Sequence, residues 1–338
     1  MRKQFAKLVA LLIMACLIIS LMGCITACTP KKTFLKITTA STGGTYYPIG
    51  MGMANLWTNK LKDKNISVSG QSSAGSVENI DILRKGEAEL AILQGLIGAM
   101  AWTGKDTFEG KAYTDLRSIC MLWPNVEHFT VVEKAAKTGN IKDIRGIRMS
   151  VGPAASGTEQ STLTIMQGLG MTVKDIIPEH LGYTESAAAM KDGRLEGASM
   201  PGGPPVSGIT DLYASPIKVK TLEFTEEDLK GINNVFDTWY AYEIKVGTYP
   251  GQTEPIKTIA QPNWLGVSGK TDKQVVYLLT KTLFENLDEM YKVHKIASEI
   301  KLETALEGLP APLHPGALQY FKEKGLQIPD RLIPPEAK

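Results

Sequence analysis

Only four cysteines occur in this chain of 338 residues, and Cys120 is the only one that lies beyond residue 28. That argues against a disulfide framework and leaves no cysteine cluster to hold a metal. An excess of one charge is missing too: 37 Lys and Arg stand against 35 Asp and Glu, a net charge of +2. No basic block is interleaved with aromatics, so nucleic acid is a poor partner. Beyond Met22 no apolar run approaches the roughly 20 residues of a membrane span. Catalytic signatures are absent as well. His128, His180, His294 and His314 are scattered, with no His-Glu-x-x-His and no Gly-x-Ser-x-Gly elbow. The phosphate-loop pattern Gly-x-x-x-x-Gly-Lys-Ser/Thr is missing, and no Gly-x-Gly-x-x-Gly opens a helix. The expectation is a protein that is not an enzyme and carries no metal or cofactor.

The first residues do carry a message. Arg2, Lys3 and Lys7 precede an apolar run from Leu8 to Met22, which has the order and shortness of a secretory signal. Two cysteines follow small residues, in Leu21-Met22-Gly23-Cys24 and Ile25-Thr26-Ala27-Cys28, and both resemble a bacterial lipobox. Cys28 fits the usual pattern better, while Cys24 lies closer to the apolar run. An uncleaved anchor and a plain secretory peptide are the alternatives, and all of them place the folded part outside the cytoplasm. We take residues 1–27 as a lipoprotein signal peptide and 28–34 as a tether, with Cys28 (or Cys24) lipidated. Removing 1–27 takes three basic residues and no acid, leaving a net charge of −1. The roughly 310 residues that remain are enough for two lobes with ample cores.

From Leu35 to Gln94 the pattern alternates strand and helix. Strand-like Leu35–Ala40, Ile66–Gln71 and Leu90–Leu93 alternate with helices over Tyr46–Leu61 and Val77–Lys85, the second closed by Gly86. This order argues for parallel strands with crossover helices. The scheme repeats from Gly146 to Met200, with helices expected at Ser156–Gly168 and Thr184–Asp192. Arg117–Glu133 should carry the chain to a second lobe, and Lys257–Ser268 should bring it back. Helices at Asp272–Asn286 and Leu287–Ile300 would pack on the first lobe, with Glu303–Gly308 and Ala317–Lys324 continuing that tail. The division expected is 35–120 and 268–338 for lobe 1, 133–256 for lobe 2, and 121–132 with 257–267 as crossings.

The candidate site comes from loops of small residues that enter helices. Thr42-Gly43-Gly44-Thr45-Tyr46 and Ser156-Gly157-Thr158 form one such pair, each following a strand-like run. A Gly/Ser/Thr loop at a helix start leaves backbone N–H groups and hydroxyls at the positive end of a dipole, a place for an anion. Ser73-Ala74-Gly75-Ser76 is a third loop, with Ser76 expected as N-cap and Asn79 adding an amide from the first turn. Plain capping would need only one of these residues. Gln94 ends its strand at the carboxyl edge of the sheet, where ligands of open α/β sheets sit; a surface loop residue is the alternative. Pro201-Gly202 begins a rigid loop at the equivalent strand end of the second lobe. Tyr46 could stack on a ligand, and Arg148 could assist. Trp239 and Tyr240 read as core. The combined reading is a small carboxylate held asymmetrically between two lobes.

Several stretches also resemble a known family. Thr42-Gly43-Gly44-Thr45-Tyr46-Tyr47-Pro48-Ile49-Gly50, Ser73-Ala74-Gly75-Ser76-Val77-Glu78-Asn79 and Ala91-Ile92-Leu93-Gln94 are similar to motifs of the TAXI-type solute receptors of TRAP (tripartite ATP-independent periplasmic) transporters. So are Ser156-Gly157-Thr158-Glu159 and the tail Thr304–Pro310 with Pro312–Ala317. The resemblance implies an α/β fold of two lobes, periplasmic-binding-protein-like (type II), each lobe a mixed sheet flanked by helices with the cleft between them. It implies a monomeric extracytoplasmic receptor that closes on a glutamate-like or 2-oxoglutarate-like acid and delivers it to a TRAP permease. The receptor of an ABC importer, or a sensor of similar fold, is the alternative reading; a periplasmic enzyme would need a reactive His or Cys in the cleft. Pro153-Ala154-Ala155 and Pro201–Pro204 depart from the family's pattern near the pocket.

Overall fold

A computed structural model describes residues 32–337. The expected signal peptide, both lipidation candidates and most of the tether fall outside the described residues. From Phe34 onward the chain gathers into one unit built on two sheets.

The first sheet contains β1 (Thr33–Thr38), β2 (Ile66–Gln71), β3 (Leu90–Gln94) and β4 (Leu116–Val126), joined by β10 (Tyr240–Ile244) and β11 (Ile256–Ser268). Its order is β10-β11-β3-β1-β2, with β4 on β11. β1 and β3 pair in parallel, as the strand–helix alternation predicts, whereas β11 runs antiparallel to β3 and makes the sheet mixed. β3 reads Leu-Ala-Ile-Leu-Gln and is buried throughout, the unbroken apolar run of a central strand. The second sheet has the order β7-β6-β8-β5-β9: β5 (Phe129–Val132), β6 (Arg148–Ser150), β7 (Ile177–Glu179), β8 (Gly197–Ser199) and β9 (Val219–Thr221). β6 is parallel to β7 and β8, while β5 is antiparallel to β8 and β9.

Two long strands connect the sheets. β4 and β11 pair antiparallel from Leu116↔Ser268 to Val126↔Ala260. β4 then enters β5 through Glu127 and His128. β10, which falls in the stretch assigned to lobe 2 from the sequence, pairs with β11 and so belongs to the first sheet.

Among the described residues the α-helices are α1 (Tyr46–Lys60), α2 (Ser76–Lys85), α3 (Gly95–Thr103), α4 (Gly157–Gly168), α5 (Tyr183–Lys191), α6 (Ser207–Tyr213), α7 (Glu226–Val235), α8 (Lys273–Phe284), α9 (Leu287–Tyr291) and α10 (Pro315–Glu323). Their ends follow local chemistry. α2 stops at Gly86, whose φ of +72° suits glycine, and Glu87 N–H reaches back to Ile82 O. α7 opens with a capping box in which Thr225 and Asp228 exchange hydrogen bonds. At α10, Pro315 begins the helix and His314 accepts from Gly316 N–H. This makes His314 the structural turn residue that its neighbours Leu313 and Pro315 predict.

Three expectations change. Leu287–Ile300 is not one helix: α9 ends at Tyr291, and a 3₁₀ turn spans Lys295–Glu299. His294 stands extended between them, with its ring accepting from Ile296 N–H. Glu303–Gly308 forms turns instead of a helix. Ser76 is the first residue of α2 and not its N-cap; Gly75 takes that place with φ +132°, a backbone open only to glycine.

Packing fixes the sheet ends that matter for function. Trp57, Trp123 and Trp264 are fully buried, each contributing on the order of 1.5–3 kcal/mol or more by area. Trp264 lies against Gly98 of α3, where a Cβ would collide with the indole, and its Nε1 donates to Gln94 O at 3.2 Å. The end of β3 is thereby pinned beneath the cleft.

Candidate functional site

The loops singled out in the sequence approach one another across a narrow cleft between the sheets. Three hydrogen bonds hold the cleft shut: Glu78 N–H to Ala155 O at 3.0 Å, Thr45 Oγ1 to Gly203 O at 3.0 Å, and Gly208 N–H to Gly43 O at 3.3 Å. They border a cavity of about 30 Å³, room for about two water molecules. A solute the size of glutamate therefore requires the lobes to stand further apart than they do here.

Ten of the sixteen residues expected at the site line this cavity. They are Gly44, Thr45 and Tyr46; Ala74, Gly75 and Ser76; Gln94; Gly157 and Thr158; and Pro201. The other six support it or stand aside. Ser73 donates to Asn79 Oδ1 at 2.7 Å, and Asn79 Nδ2 donates to Thr39 O and Ile92 O, so both side chains brace the loop from below. Ser156 caps α4 by accepting from Glu159 N–H at 3.0 Å. Gly43 packs against Thr184, Gly202 exchanges two backbone hydrogen bonds with Val126, and Thr42 is exposed.

The sequence reading omitted Ala40, Ser41, Asn125 and Tyr183, which also line the cavity. Tyr183 links the two sides of the second lobe: its hydroxyl donates to Pro201 O at 2.7 Å and accepts from Thr158 Oγ1 at 2.8 Å. Burial pushes its phenol well above the ordinary range, so it stays protonated. Asn125 interrupts the apolar run of β4, which is the one signal that could have marked it. Arg148 does not reach the site; it is exposed and pairs with Glu179 at 2.6 Å. Trp239 is buried, as expected of core, but Tyr240 is 39% exposed.

The first residues of four helices meet at the cavity: Tyr46 of α1, Ser76 of α2, Gly157 of α4 and Tyr183 of α5. Gln94, immediately before α3, adds a fifth helix start. Each N-terminus carries roughly half a positive charge and unpaired N–H groups. The lining residues include no Asp, Glu, Lys, Arg, His or Cys. Two buried polar atoms in the lining have no partner, Gln94 Oε1 and Asn125 Nδ2. A relay sets the second: Tyr46 OH donates to Asn263 Oδ1, and Asn263 Nδ2 donates to Asn125 Oδ1 at 3.3 Å. Asn125 is left with its amide donor unpaired. The site thus offers fixed donors, hydroxyls and an amide acceptor, and no charged side chain.

A family model described as the NMT1-like family matches residues 37–325. The chain belongs to the NMT1-like family. Among solved structures, a Bordetella bronchiseptica RB50 protein is similar to this NMT1-like chain at 17% identity and a TM-score of 0.50, covering 90% of this chain and 86% of its own. The alkanesulfonate-binding protein SsuA from Xanthomonas axonopodis pv. citri, bound to MOPS, is 14% identical with a TM-score of 0.49, over 91% and 98% of the two chains. A putative L-cystine ABC transporter from Listeria monocytogenes is 12% identical with a TM-score of 0.49, over 80% and 98%. Likeness at this level speaks for the fold alone. The fold is α/β, built on two mixed sheets with flanking helices and a cleft between them.

Behind the cleft of the NMT1-like protein, the β4–β5 junction holds two buried ionisable residues. Glu127 Oε1 accepts from Trp239 Nε1 at 3.1 Å and Gln261 Nε2 at 3.4 Å, while Oε2 has no partner. Burial raises its carboxyl to about 7, with those two donors pulling the other way. His128 Nδ1 donates to Val126 O at 2.9 Å, and its Nε2 meets Tyr249 OH at 2.7 Å. Burial lowers the imidazole to about 4. Among the described residues no group of three or more His, Cys, Asp and Glu could hold a metal, and no helix is long and apolar enough to cross a membrane.

Proposed function

We propose that this NMT1-like protein is an extracytoplasmic solute-binding receptor that closes on a small organic anion and presents it to a membrane importer. One observation carries the reading: four helix N-termini converge on a cavity that has no charged side chain to neutralise. Such ends bind carboxylates and related anions through N–H groups and dipole together. Contacts come from both lobes, so only the closed form satisfies the whole ligand, and binding shifts the population toward closure. β4 and β11 are the two connections about which the lobes move, with residues 35–120 and 268–338 as one lobe and 133–256 as the other, β10 excepted.

The signal-like leader and the lipobox at Cys28 (or Cys24) support a receptor tethered to the outer face of a membrane. For the importer, one of the similar structures is a putative L-cystine ABC transporter, and we place the ABC-type reading ahead of the TRAP permease implied by the sequence resemblance. Genetic linkage to a nucleotide-binding subunit would favour the first, and a large multi-span permease without one the second. The receptor reading is tested by titration calorimetry of the purified protein with short carboxylates. Saturable binding that Gly157→Val abolishes, with circular dichroism unchanged, is the expected result. Binding that the variant leaves intact would remove the cleft from the account.

A further inference from the structure

We infer that the cleft selects a short monocarboxylate bearing a neutral hydroxyl, and discriminates against amino acids and dicarboxylates; this rests on the receptor reading above. The argument begins with what an ammonium would meet. No carboxylate lines the cavity. Among the acids in the first turns of the flanking helices, Glu185 of α5 is exposed and outside the lining, and the other two are already engaged. Glu78 Oε2 accepts from Ala74 N–H at 2.5 Å, and Glu159 accepts from Ala155 N–H at 2.9 Å while facing His180 at 3.2 Å. Glu127 is not a lining residue, and its buried carboxyl is bonded to Trp239 and Gln261. An ammonium drawn into the closed cleft would lose water without gaining a counter-charge, a large penalty. The same helix ends that welcome an anion repel it.

A hydroxyl meets the opposite situation. Gln94 is 3% exposed and Asn125 is 1% exposed, and the two leave an acceptor, Oε1, and a donor, Nδ2, unpaired in the lining. A hydroxyl is a donor and an acceptor at once, so it can give a proton to Gln94 Oε1 or take one from Asn125 Nδ2. Its carboxylate takes the free N–H groups of the helix starts. Unpaired buried polar atoms are costly, so a ligand that pairs them gains selectively over one that does not. A second carboxylate has no comparable place, because no Lys, Arg or His lines the cavity to offset a second negative charge.

A matched series decides it: lactate, propionate, alanine and succinate, titrated calorimetrically into the wild-type protein and into Gln94→Leu. We expect lactate to bind at least tenfold more tightly than alanine or succinate, and several-fold more tightly than propionate. Gln94→Leu should bring lactate down to the propionate level while propionate itself is little changed. Alanine or succinate binding as tightly as lactate would overturn the selectivity and leave the receptor reading standing. If none of the four binds, the selectivity falls, and the failure of every short carboxylate in the calorimetric test of the receptor would show that the receptor reading has fallen with it. The wild-type comparison stands even if Gln94→Leu does not fold.

Discussion

The Gln94 side chain of the first lobe rests on Gly157 of the second so closely that a Cβ at residue 157 would lie 2.8 Å from Gln94 Cδ and 3.0 Å from Ser76 Cβ. Gly157 has no left-handed φ, so an L side chain suits its backbone and clashes with Gln94 and Ser76 across the cleft. Gly157→Val should therefore fold normally yet lose about 100-fold or more in affinity for a small carboxylate, roughly 3 kcal/mol of binding free energy. Calorimetry gives the affinity, and a thermal melt without solute reports the fold.

Tyr183→Phe tests the link between α4, α5 and the Pro201 loop. The variant removes the hydroxyl that joins Thr158 to Pro201 O and leaves that buried carbonyl unpaired. A loss of about 1–2 kcal/mol in unfolding free energy is expected, together with weaker carboxylate binding because Thr158 is no longer held in place. Denaturant melts and calorimetry measure the two effects separately.

The pH dependence of stability separates two neighbours. Glu127 has a folded value of about 7 against 4.5 for the free group, so its contribution is fully present below pH 4.5 and is lost as pH rises through about 7. His128 has a folded value of about 4 against 6.5, so its contribution is present above pH 6.5 and is lost as pH falls through about 4. The two slopes oppose each other over most of the same range. Glu127→Gln should be more stable than wild type at pH 8 by about 2–3 kcal/mol, with the difference vanishing near pH 4.5. Urea melts at several pH values measure this directly.

Arg148 gives the contrasting case. It lies on the second sheet but points to solvent, in an exposed pair with Glu179. Arg148→Ala should change stability by less than about 1 kcal/mol and leave carboxylate affinity unaltered. A loss of affinity on calorimetry would mean that the carboxylate reaches a part of the surface away from the cavity.

Much of this was legible in the sequence because glycine and short-range periodicity report on local backbone. β2 falls where Ile66 and Val68 alternate with serines, and Gly86 marks the end of α2. α3 left no such trace: Gly-Leu-Ile-Gly-Ala-Met-Ala-Trp-Thr is apolar on nearly every face and has no period to detect. Small residues entering helices revealed the loops, but could not say which members face inward. Ser73, Asn79 and Ser156 satisfy the loop backbone, and that division depends on tertiary contacts. Asn125 and Tyr183 escaped for the same reason, since the first is carried to the cavity by pairing of β4 with β11 and the second by the turn into α5.

The central claim is that helix ends, and no charged side chain, hold an anion in this cleft. The most direct measurement is the thermal stability of the purified protein in acetate, propionate and lactate, each compared with its own amide at equal concentration. Acid and amide differ little in size, so the difference isolates the charge. The account predicts a concentration-dependent rise in Tm with at least one acid and none with its amide, following mass action. An amide that stabilises as well as its acid, or no response to any of the acids, would contradict it.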